Sequence, residues 1–127
     1  ILEIDNATTK IGAHAFDGCI SMYEAQLGNN ILEIGAYSFN NCKSLKKIEI
    51  KHAIKTISNK CFAQCNSLTT IELPDSLETI EEKAFWGCNN LMEIRLPNTI
   101  TYIGNNAFSY CKNIDNILYL LNIYLNM

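Results

Sequence analysis

The chain has 127 residues, 48% of them hydrophobic, and a net charge of −3. That length fits one domain and that composition fits a buried core. The mild acidity lacks the basic footprint of a nucleic-acid binder, and no apolar run nears the roughly 18 residues of a membrane helix.

Read from its start, the chain repeats itself. Leu2 and Ile4 occupy the strand positions of a partial leading unit, residues 1–10. Complete units follow over 11–33, 34–56, 57–79 and 80–102, and a divergent one over 103–127. Phe16 and Cys19 recur as Phe39 and Cys42, Phe62 and Cys65, Phe85 and Cys88, and Phe108 and Cys111, without insertion or deletion. Three residues past each Cys stands Met22, Leu45, Leu68, Leu91 or Ile114. Ala25, Ile48, Ile71, Ile94 and Ile117 come three further on. A period in this range is the mark of a stacked array. Because the first residues already lie inside a unit, the chain reads as a piece of a longer array.

Within each unit, IEL at 71–73 and IRL at 94–96 alternate apolar and polar residues, the period of a half-buried strand. Pro74 and Pro97 end those strands, since proline donates no ladder hydrogen bond. The segment I-x-x-x-A-F-x-x-C puts apolar groups at i, i+4, i+5 and i+8, which predicts a short helical or 3₁₀ turn. One such unit cannot bury its apolar face alone. Stacked units can, so the spacing predicts a solenoid with one parallel strand per coil.

The residues I-x-x-x-A-F-x-x-C-x-x-L-x-x-I-x-L-P resemble the BspA-like leucine-rich repeat. The first unit departs at Met22, Ala25 and Gly28, and the last at Tyr119 and Leu120. The resemblance implies a leucine-rich-repeat solenoid, a single curved right-handed stack whose strands line the concave side. It also implies a cell-surface or secreted protein of bacteria or mucosal protists that adheres to host proteins or other cells.

The five periodic cysteines read as a column of buried thiols. Cys61 stands outside it, where other units have Ala15, Ser38, Ala84 and Ala107, and so fills a small core slot. His14 and His52 fall at other repeat positions and offer no zinc-ligand spacing. No nucleophile–base signature or glycine-rich phosphate loop is present, so neither catalysis nor a cofactor is expected. Free thiols also suit a reducing compartment, which keeps a cytoplasmic scaffold as the alternative.

Binding is expected on the strand side, at residues that alternate with buried ones and change from coil to coil. These are Gln26, Lys47, Glu49, Lys51, Thr70, Glu72, Glu93 and Arg95. Their mixed charge points to a protein partner with complementary charges. Trp86 is a further candidate, either as an outward interface anchor or as a ring packed on the neighbouring coil. The apolar tail, with Leu118, Tyr119, Leu120, Leu121, Tyr124 and Leu125, is expected to self-associate unless residues 117–127 fold back over the last coil.

Overall fold

The computed structural model describes residues 1–114; the expectations for the apolar tail and for Ile117, Leu118, Tyr119 and Leu120 lie outside them. The described chain is a parallel β-solenoid whose coils repeat in register. One column of strands holds β1 (Leu2–Glu3), β3 (Glu24–Gln26), β5 (Lys47–Ile48), β7 (Thr70–Ile71) and β9 (Glu93–Ile94). Leu2 pairs with Ala25, Glu24 with Lys47 and Thr70 with Glu93, and a parallel bridge from Glu49 to Glu72 links the column across its middle.

The expectation of one strand per coil is incomplete. A second column holds β2 (Lys10–Ile11), β4 (Glu33–Ile34), β6 (Thr56–Ile57), β8 (Thr79–Ile80) and β10 (Tyr102–Ile103). It pairs in two parts, β2 with β4 through Lys10–Glu33, and β8 with both β6 and β10 through Thr56–Thr79 and Tyr102–Thr79. Each of its strands is two residues long, and no alternating triplet recurs there from coil to coil as IEL and IRL do in the first column. In-register stacking still gives any extended dipeptide a copy of itself to pair with in the adjacent coil.

The turns also differ from expectation, because no helical or 3₁₀ segment occurs among the described residues. Backbone conformation explains why. His14, Tyr37, Lys60, Lys83 and Asn106 have φ between 51° and 60°. Four residues later, Gly18, Asn41, Gln64, Gly87 and Tyr110 are also left-handed. A positive φ at that interval breaks right-handed winding into successive tight turns. The amides divide accordingly. Those of Ala15, Asp17 and Cys19 close turns onto Gly12, His14 and Phe16, while His14, Phe16 and Gly18 donate to Ala36, Ser38 and Asn40 of the next coil. A helix would spend its interior amides within its own coil and leave few to join coils.

The core is a set of columns, one side chain per coil. Phe39, Phe62 and Phe85 are fully buried, and the five phenylalanine rings stack at 5.3–5.6 Å. Leu45, Leu68 and Leu91 form a second column, and Ile34, Ile57 and Ile80 a third. The cysteines are tied to the phenylalanines by hydrogen bonds. Cys42, Cys65, Cys88 and Cys111 donate Sγ–H to the carbonyls of Phe16, Phe39, Phe62 and Phe85 at 3.0–3.3 Å. Each Phe carbonyl also accepts from the Cys amide of its own coil, using both lone pairs. Cys61 is fully buried with its Sγ 3.4 Å from the Ser38 hydroxyl, as expected of a small-slot residue. All six cysteines are free thiols.

Candidate functional site

The first strand column carries the candidate surface. Ala25, Ile48, Ile71 and Ile94 point into the core, and the residues on either side of each are forced outward by the strand period. Gln26, Glu49, Glu72 and Arg95 form one exposed row; Lys47, Thr70 and Glu93 belong to the other, with Glu24 half-buried in it. Beyond them, Lys51 is half-buried and reaches Glu49 at 3.5 Å. Its row is less open than the alternation implies, because Gly28 and Pro74 are buried. Coil contact is the cause at Gly28, where a Cβ would lie 2.2 Å from the Asp5 carbonyl oxygen.

Two adjoining depressions gather six of the nine sequence-derived residues. The larger, about 690 Å³, is lined by Thr70, Glu72, Glu93 and Arg95, with Asp75 and Asn98 at its rim. The smaller, about 370 Å³, is lined by Glu49, Lys51 and Glu72. Glu72, Leu73 and Asp75 belong to both, so the two form one trough. Gln26 and Lys47 are exposed in the same strand column but line neither depression, and the Gln26 amide donates to Glu24 at 3.1 Å. Trp86 is separate. It sits half-buried in a turn, edge-on to Tyr110 of the next coil at 5.4 Å, so the ring packs on its neighbour.

Among the described residues, Glu72, Glu93 and Arg95 make no ion pair. Their charges remain available to an incoming partner. The sequence reading missed Asp75, Asn98 and His52, which line the trough from the turn after the strand. These residues share one repeat position, also held by Asn6 and Asn29, and its polar variability was the available signal.

A match to the family described as "BspA type Leucine rich repeat region" spans residues 1–120 in six copies. The chain belongs to the BspA-type leucine-rich repeat family. Solved structures agree with the family match. A leucine-rich cell surface protein from Faecalibacterium prausnitzii superposes on this BspA-type chain with a TM-score of 0.87 and 33% identity, over 90% of this chain and 30% of that one. A leucine-rich repeat protein from Bacteroides ovatus gives 0.83 and 32%, over 89% and 32%. The leucine-rich repeat protein of T. pallidum gives 0.82 and 32%, over 84% and 50%. The chain thus spans between about a third and a half of the solved chains it matches. A search of the curated proteins finds no match. Among the described residues of the BspA-type array, no helix is long and apolar enough to cross a membrane.

Proposed function

We propose that this BspA-type array is a non-enzymatic recognition module of a cell-surface or secreted adhesin, binding a protein ligand through its strand face. One observation carries the reading. The core columns repeat from coil to coil, whereas the side chains around the trough change, and Glu72, Glu93 and Arg95 there have no ionic partner among the described residues. A regular scaffold with a varied, extended face is what solenoids use for binding. Mixed charge on that face favours a protein over a polyanion and supplies specificity by complementarity. Similarity to the F. prausnitzii cell surface protein supports the location.

The test starts by capturing extracellular proteins on the immobilised domain. The double reversal Glu72→Lys with Arg95→Glu is then compared with wild type. Both residues are exposed, so the fold is expected to persist, while affinity for the captured protein falls by about tenfold or more, the scale of losing one or two interfacial charge contacts. Unchanged affinity in a folded double variant would remove the strand face from the interface.

A second reading, an intracellular scaffold, is favoured by the six free thiols. Protease treatment of intact source cells separates the two. Release of peptides from this chain is expected of a surface protein, and complete protection until lysis would turn the assignment to the scaffold.

A further inference from the structure

We propose that Asn6 is the acceptor of an asparagine-linked glycan. Asn6-Ala7-Thr8 is the one Asn-x-Ser/Thr triplet in the sequence, the pattern that oligosaccharyl transfer requires. Asn6 is exposed, at the turn between β1 and β2.

Side-chain geometry separates this asparagine from others on the turns. Asn30, Asn40, Asn66, Asn90 and Asn113 spend their Nδ2 groups on bonds to residues of neighbouring coils, for example Asn90 to the Asn66 carbonyl at 2.7 Å. Substitution on those nitrogens would strain or break the ties. Asn6 is anchored by the opposite end of its amide: Oδ1 accepts from the Asn29 N–H at 2.8 Å. Its Nδ2 donates to no atom among the described residues. A sugar on Nδ2 therefore leaves the coil-joining bond intact.

The order of synthesis also helps. Asn6 is held by the Asn29 amide and the Asn30 side chain, which follow it by 23 and 24 residues. Until those arrive, Asn6 has no anchor from a later coil, and the triplet is held only by local bonds from Ala7 and Thr8 to the Asp5 carboxylate. The donor is a polyprenyl-diphosphate-linked oligosaccharide. The bond between Nδ2 and the sugar C1 forms as the bond from C1 to the diphosphate oxygen breaks. Nδ2 releases one proton, keeps the other, and the lipid diphosphate departs.

The position has a consequence for binding. Asn6 begins the row that continues through Asn29, His52, Asp75 and Asn98 along the rim of the trough. At about 4.8 Å per coil, four coils separate Asn6 from Asn98 by roughly 19 Å. The glycan shields the first-coil end of the strand face and leaves the Arg95 end open.

The assignment rests on the surface or secreted reading, because the donor is met in a secretory lumen. The experiment tests the acceptor separately, by sending the chain behind a cleavable leader into the yeast secretory pathway and reading all lumen-enclosed protein, exported or retained. Wild type and Thr8→Ser are expected to show one glycosidase-sensitive mass shift. Thr8→Ala, which leaves the Asn6–Asn29 bond in place, and Asn6→Gln are expected to show none. Deglycosylation in heavy-oxygen water should convert Asn6 to labelled aspartate. An unmodified Asn6 in the lumen, or a shift that survives Asn6→Gln, overturns the assignment. Protease protection on intact source cells would instead remove the surface reading and leave the acceptor result standing.

Discussion

Phe62→Ala is expected to lower the unfolding free energy by about 3–5 kcal/mol, the usual range for emptying a buried aromatic site. Phe62 has no solvent exposure and stacks between Phe39 at 5.5 Å and Phe85 at 5.6 Å. Truncation therefore opens a void facing two coils at once. In a solenoid, stability is carried by contacts between nearest neighbours, so a gap in the middle of the stack uncouples its halves. Phe16 makes the comparison informative. It is only half-buried, and its one ring contact among the described residues is with Phe39, so Phe16→Ala is expected to cost clearly less. Urea unfolding of the two variants measures both. A Phe62→Ala loss below about 1 kcal/mol would show that the phenylalanine column does not hold the coils together.

Alkali is expected to weaken the fold through the thiols. Burial pushes Cys42 up to about 11 and Cys61 up to about 12, from an ordinary 9.0. Burial also raises Cys65, whereas the hydrogen bond between the Cys88 and Cys111 thiols shifts them in opposite directions, Cys88 up and Cys111 down. A pKa raised in the folded state means that the unfolded chain ionises first. The stability held by these protonated thiols is complete below the ordinary value near 9 and is lost as pH climbs toward 11–12. The urea midpoint is expected to hold steady near neutrality and to fall progressively above pH 9. Cys61→Ala isolates one contribution, because alanine fills the equivalent slot as Ala84 and Ala107. Its midpoint should decline less steeply than that of wild type, since all other titrating groups are shared. Parallel curves would show that ionisation of Cys61 does not contribute.

The period and the core columns were legible in the sequence because each coil must fill the same slots. Phe39, Cys42, Leu45 and Ile48 recur with matching burial one and two coils later. The second strand column was not legible, since dipeptides such as Lys10–Ile11 become strands only by pairing with their copies. Nor were the left-handed turns. Gly18 and Asn41 favour positive φ, but Tyr37, Lys60 and Lys83 do not, and their amides are held by bonds to the adjacent coil. Tertiary contact there overrides local preference. The outward rows of the strand face followed from the period of two, with Gln26, Glu49, Glu72 and Arg95 all exposed. The trough's far rim did not, because it is built from turn residues such as Asp75 and Asn98, where the period of two no longer applies.

Hydrogen–deuterium exchange of the domain, free and bound to its captured extracellular protein, tests the strand-face assignment most directly. Slowed exchange is expected at residues 49–52, 70–75 and 93–98, which carry the trough, with little change in the turns at 36–42, 59–65 and 82–88. Slowing in those turns with an unaltered strand face would contradict the assignment and place recognition on the opposite side of the stack.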